Sequence, residues 1–497
     1  MILDLASVTV LFATGACFAV ASNARGALQA VLTVVSQAVL LPGVGWLLVV
    51  AHLPVNHGTL GFAVCALGVG ALGWRLWRHR HESIGIRHHV AWAWLALAYV
   101  LTLVVASVAR SFLLYKWSTD SLAYLNVTAL LNNDTYVDTI YPLFLEERLV
   151  GVALLHLPGA LSGEWFFHAA TPLTFMAVAA MGAWAIWRVL SMRVRPAAAL
   201  GAAAIFVLAL AATNRLVFTG FYVNGHATVA LAFIVICAGA WVLAEGLAGR
   251  ELVPVMILAG AAAVVTRPDS IVALAVLLCA FATQSEIPRQ TRALVLAGVG
   301  ASAVAWQSYV VALWALHGPA MSMPAVVSWF IAVGVVAMAG LALLRWPARF
   351  QVWILATGEF GLWAVVALAT ALTTGLVKVS VLATWDNLIR NEGGWFPMLP
   401  LLPLIVGFAV VCLRRATTRP LRFAVTTFFP VMLLLGVARG SAYRVGAGDS
   451  LNRAWAHVVP TAVVLAVALI ALGTARYVRT SRLVCLTDNA GSRDTHL

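Results

Sequence analysis

Charged residues in this chain stand at the edges of apolar stretches about twenty residues long, from its first segment to its last. At 1.5 Å of rise per residue, a helix of roughly 20 residues spans the ~30 Å hydrocarbon core of a bilayer. A backbone inside that core must satisfy its own polar groups, so such a run folds as a helix. Segments near 2–22, 27–51, 58–75, 89–109, 165–189, 197–218, 225–245, 252–266, 269–283, 293–316, 325–344, 351–372, 398–413, 422–438 and 456–475 fit this description. The expected fold class is all-α, a polytopic transmembrane helical bundle of 12 to 15 crossings. The eighth and ninth segments are short and could be one hairpin broken at Pro268.

Composition agrees. Of 497 residues, 63% are hydrophobic and 10% charged, against about 25% charged in soluble domains. A soluble globular protein is excluded. The net charge is +13, but only two of the 31 basic residues are Lys, and the arginines lie singly between apolar runs. That is not the basic stripe that binds nucleic acid, so no nucleic-acid partner is expected. Cys17, Cys65, Cys237, Cys279, Cys412 and Cys485 show no metal or redox spacing and no disulfide framework.

Orientation follows from the rule that basic loops stay on the cytoplasmic side. Asp4 stands where a signal peptide would carry Lys or Arg, so the first segment is expected to be a mature helix with its N-terminus outside. Arg75, Arg78, Arg80 and Arg87 then lie inside, as do Arg188, Arg193 and Arg195, Arg289 and Arg292, Arg345 and Arg349, and Arg414 to Arg422. This arrangement puts 21 of the 31 basic residues in the inner segments. Three longer segments, 110–164, 373–397 and 439–455, face outward and are where chemistry is expected.

In the first, Trp117 to Leu131 has helical period, with Asp120, Tyr124 and Thr128 on one face. Asp120 sits in the first turn, where a cap or a dipole partner is the plain account. Asp134 and Asp138 follow in a polar stretch, and Pro142 opens a second helix carrying Glu146, Glu147 and Arg148 and running to Leu157. Both helices are expected to lie in the membrane interface. Midway along the chain, Thr266-Arg-Pro-Asp-Ser270 breaks an apolar stretch, and charges there line a cavity or pair with each other, as Arg267 and Asp269 could.

The second outer segment mixes Lys378, Arg390, Trp385, Asp386, Asn387, Trp395 and Phe396, a set suited equally to a sugar or to an interface belt. The third runs from Arg439 through Arg444 to Arg453. Asp449 or Ser450 caps the last crossing, so the helix start with Arg453 forms a potential anion site. His168 and Asn224-Gly-His226 are assigned structural roles, and Glu359, an acid in mid-span, a buried polar contact.

A long first outer loop with Asp-Ser-Leu-Ala-Tyr at 120–124, a Thr-Arg-Pro-Asp turn at 266–269 and Asn-Arg at 452–453 together resemble the GT-C superfamily of membrane glycosyltransferases. The likeness is to the bacterial protein mannosyltransferase-like and lipid A aminoarabinose transferase-like branch. It covers about 90–476 and implies a GT-C-like core over 89–476, with additional N-terminal helices over 1–88 and a cytoplasmic tail over 477–497. By match of position, the resemblance makes Asp120 the acid that activates the acceptor. Arg267, Pro268 and Asp269 become a cavity-lining segment, and Arg453 a contact to the lipid-linked donor. The family's adjacent acidic pair is missing, since Ser121 follows Asp120, so a second acid would come from Asp134, Asp138, Glu146 or Glu147.

The implied activity is transfer of a sugar from a polyprenyl-phosphate donor to a glycan, lipid or protein acceptor on the exoplasmic face of a bacterial cell membrane. A carboxylate takes the acceptor proton, and cations stabilise the departing phosphate. Tyr124, Lys378, Arg390 and Arg444 complete the candidate substrate contacts. No cofactor is expected, because Arg matches a lipid monophosphate bidentately, although a diphosphate donor would reopen the need for a divalent metal. No Gly-rich phosphate loop follows a strand, so a nucleotide site has no support. Two alternatives stay open: a transporter or flippase of a lipid-linked sugar, and a cell-wall glycan polymerase or ligase.

Overall fold

The computed structural model describes residues 2–78, 89–111, 151–156, 165–213, 215–217, 225–267, 270–317, 323–344, 348–395, 407, 416–438, 440–446 and 449–491. Among them the chain is all-helical, without a strand. In order, the helices are α1 (Ile2–Ala21), α2 (Ala27–Val50), α3 (His57–Arg78), α4 (His89–Ser111), α5 (Gly151–Leu155), α6 (Trp165–Leu190), α7 (Pro196–Ala212) and α8 (His226–Ala244). There follow α9 (Val253–Thr266), α10 (Ser270–Thr283), α11 (Arg289–His317), α12 (Met323–Leu343), α13 (Ala348–Leu372), α14 (Thr374–Leu388), α15 (Arg419–Ala438) and α16 (Ser450–Gly491). Nine described helices are long and apolar enough to cross a membrane, which makes this a membrane protein. Each expected segment coincides with a helix except 398–413, which lies almost wholly outside the described residues.

Helix α8 is the axis of the bundle. It carries no charged residue and no polar stripe, and a helix apolar all round belongs in an interior. Every residue from His226 to Leu243 is buried, with α6, α9 and α16 packed around it and α10 and α15 completing the ring. Where helices have no hydrophobic contrast with lipid, close approach through small residues drives packing. Helix α9 meets α11 in this way: a Cβ on Gly260 would lie 2.7 Å from Val299 Cγ2, and one on Gly298 would lie 2.6 Å from Ile257 Cδ1. At the periphery α3, α12 and α13 turn large apolar side chains outward, among them Phe62, Phe330 and Phe360. That is the surface lipid covers.

The segments expected inside gather at one end. Arg193 pairs with Glu245, which also accepts from Thr417 at 2.7 Å. Gln351 donates to Gln284 at 3.0 Å and accepts from Arg419 at 2.8 Å. Deeper in, Glu359 of α13 pairs with Arg422 of α15 at 2.6 Å and accepts from Thr426 at 2.7 Å, so the mid-span acid makes a polar contact that is half-buried.

Four local expectations differ from the structure. Residues 151–155, expected on an interfacial helix, form α5, whose Val152 to Leu155 are wholly buried against α2 and α9. Four apolar side chains in succession, with no polar face, favour burial over an interface. Within 373–397, residues Thr374–Leu388 are helical, burying Val377, Ser380, Ala383, Thr384 and Asn387 at helical spacing and exposing Lys378, Val379, Leu382 and Trp385. The sixth segment ends at Ala212 instead of 218, and the last helix continues to Gly491 through most of the expected tail.

Candidate functional site

The opposite end of the bundle, where α8 and α16 begin and α9 stops, collects cations, Arg215 buried and Arg267 and Arg453 half-buried. Helix α8 begins at His226, preceded by Gly225 in the left-handed region (φ 75°). A side chain at 225 would be strained by that φ, and its Cβ would lie 3.2 Å from Val152 Cγ2 and 3.5 Å from Arg267 Cγ. Val152, near the end of the long segment expected outside, is therefore packed against the start of α8 and the end of α9.

Arg267 caps α9 in an extended conformation (φ −141°, ψ 97°) with its N–H donating to Ala263 O at 2.8 Å. The next residue is Pro268, whose ring excludes the helical region for its predecessor. The chain thus leaves the helix at Arg267, and the guanidinium reaches His226, Nη1 to Nε2, at 3.4 Å. Helix α9 has 14 residues, a rise of about 21 Å, so this turn is reached before a full bilayer core has been crossed.

Helix α16 is capped by Asp449, which settles the choice between Asp449 and Ser450. Its Oδ1 accepts from the N–H groups of Leu451 and Asn452 at 2.9 and 3.0 Å, and its Oδ2 from Arg444 N–H at 2.7 Å. Arg453 and His457 follow four residues apart, one turn along a single face. His457 Nε2 lies 2.7 Å from His226 Nδ1, with the ring centroids 4.9 Å apart. The Phe233 and Phe428 rings close around His457, their centroids 6.4 and 6.3 Å away.

Arg215 joins from the turn after α7 and is buried, as are His226 and His457. The charges of Arg267, Arg453 and Arg215 all act on His226. A Cβ at Gly394 would lie 3.9 Å from Arg215 Cβ. Beside it the fully buried Trp395 donates its indole N–H to Asn452 Oδ1 at 2.6 Å. Asn387 binds the third outer segment through Arg444 O (2.9 Å) and Gly446 N–H (2.7 Å). The three segments expected to face outward thus contribute to one place.

Of the candidates named from sequence, Arg267 and Arg453 meet at this cluster. Lys378 and Arg444 are exposed, and Arg390, also exposed, pairs with Asp386 on its own turn at 3.1 Å. Asp120, Tyr124, Asp134, Asp138, Glu146, Glu147 and Asp269 lie outside the described residues. His457 and Arg215 were not singled out, and His226 was assigned a structural role. One signal was available for Arg215: it is the single charged residue between Pro196 and Ala244, and a lone charge in such a stretch marks a buried site.

The chain matches no protein-family profile, no curated protein and no solved structure.

Proposed function

We propose that this protein is an integral-membrane glycosyltransferase that moves a sugar from a polyprenyl-phosphate donor to an acceptor at the outer face. The observation that carries the proposal is the convergence of Arg267, Arg453 and Arg215 on the buried His226–His457 pair. The cluster lies where the long outer segment packs into the bundle. A lipid phosphate is an anion of the class that guanidinium groups bind, and a membrane-embedded site leaves its tail in the hydrocarbon layer. Guanidinium groups match phosphate oxygens bidentately and keep their charge at any physiological pH.

In this mechanism the Asp120 carboxylate takes the proton of the acceptor hydroxyl as its oxygen attacks the anomeric carbon. The bond from that carbon to the phosphate oxygen breaks, and the phosphate departs with the electron pair toward Arg267 and Arg453. General-base catalysis contributes about 10²–10⁴-fold, and loss of one donor to a developing oxyanion costs about 10²–10³-fold.

The test is transfer of radiolabelled sugar from a synthetic polyprenyl monophosphate donor by the purified protein in proteoliposomes. Asp120→Asn is expected to lower turnover by at least ~10²-fold, and Arg453→Gln to lower it by about 10²-fold with normal insertion and folding. Full activity in either variant refutes the mechanism. Movement of intact donor between leaflets with no transfer refutes the transferase itself and favours a transporter.

A further inference from the structure

The hydrogen-bond chain through the cluster has a direction. A guanidinium only donates, so with Arg267 Nη1 3.4 Å from His226 Nε2, that ring nitrogen accepts and the proton of His226 resides on Nδ1. His226 Nδ1 faces His457 Nε2 at 2.7 Å. His226 is then the donor, His457 Nε2 the acceptor, and the proton of His457 is on Nδ1 as well. This tautomer assignment follows from the hydrogen bonds. Both rings are neutral, and the order of donation runs from α9 through α8 to α16.

We propose that His226 and His457 form a positioning relay for a phosphate-ester ligand, a neutral acceptor that aims Arg267 without adding a negative charge of its own beside the guanidinium. The ligand class rests on the transferase reading above. A carboxylate at position 226 would hold Arg267 more tightly than imidazole does, but it would compete with the phosphate for the same donors and repel it. Imidazole holds the arginine and does not compete. His457 completes the device by taking the Nδ1 proton of His226 in a hydrogen bond, which keeps the lone pair on Nε2 turned toward Arg267. The rings of Phe233 and Phe428 confine His457 in that position. Arg453 stands one turn before His457 on α16, and its charge acts on His226.

The experiment measures binding of farnesyl phosphate to the purified full-length protein in detergent, with farnesol as the charge control. His226→Gln supplies another neutral acceptor, and His226→Glu a charged one. The H226Q protein is expected to bind within about threefold of wild type, since one neutral hydrogen bond replaces another. The H226E protein is expected to bind at least about tenfold more weakly, because a carboxylate at that position repels the phosphate and competes for the Arg267 donors. A purely structural role reverses the order, because Glu makes the stronger bond to Arg267. Equal binding by H226E and H226Q, or tighter binding by H226E, overturns the relay while leaving the transferase standing. A wild-type protein that shows no preference for farnesyl phosphate over farnesol overturns both. Nitrogen-15 NMR of the wild-type protein labelled at its 12 His tests the relay without any variant. Neutral imidazoles protonated at Nδ1 are expected, and a spectrum without them overturns it.

Discussion

Replacing Asp449 by Ala removes three hydrogen bonds at once from the start of the helix that carries Arg453 and His457. Oδ1 holds the Leu451 and Asn452 amides at 2.9 and 3.0 Å, and Oδ2 holds the Arg444 amide at 2.7 Å, in a side chain 7% exposed. Loss of an N-cap costs about 1 kcal/mol, and a hydrogen bond to a charged group contributes about 1.5–3 kcal/mol. Asp449→Ala is therefore expected to destabilise by about 3 kcal/mol. Asp449→Asn keeps the cap through its amide oxygen and turns an N–H₂ toward the Arg444 N–H, at a cost of about 1 kcal/mol. Apparent unfolding midpoints in detergent, compared at one scan rate because membrane proteins seldom refold, should rank wild type above D449N and D449N above D449A. Farnesyl phosphate binding should follow the same order, since an unravelled first turn no longer holds Arg453 one turn below His457. A D449A protein as stable as D449N would refute the idea that the cap fixes this end of the site.

Two further perturbations test the frame around the cluster. Gly225→Ala adds a Cβ at φ 75°, which costs about 1–2 kcal/mol in left-handed strain, and crowds Val152 at 3.2 Å. Gly225→Asn, more tolerant of that φ, should lose less stability in the same unfolding assay unless the contact with Val152 dominates. Glu359→Ala leaves Arg422 without its partner inside the bundle and should destabilise by about 3 kcal/mol, whereas the double variant E359L/R422L should recover most of the loss. A double variant no better than the single one would show that the pair does more than satisfy its own charges.

Most of the helical frame was legible in the chain. The apolar runs bounded by Arg, Pro and Gly predict α1 to α4, α6 and α8 to α13 closely, because each run answers to the thickness of one layer of hydrocarbon. Some of the site was legible by the same local rules. Pro268 forces Arg267 out of the helix, and Asp449 followed by an apolar run announces a cap. The buried α5 was not legible, since a short apolar stretch after an acidic helix start suits an interface as well as an interior. The same limit applied to α14, where Trp385 and Lys378 on a partly apolar segment drew attention to composition and away from its helical period.

By itself, then, the amino-acid order determined that this chain lives in a membrane, where most of its long helices lie, and which turns carry charge. Only the tertiary structure decided that His226 and His457, 231 positions apart, share a hydrogen bond, and that the charges of Arg215 and Arg453 act on His226. The reason is physical. Periodicity reports one helix at a time, through its contrast between water and oil, and inside a bilayer that contrast vanishes. Which helix lies beside which is settled by the fit of small and large side chains across their faces, as at Gly260 and Val299, and that fit exists only once the bundle has closed.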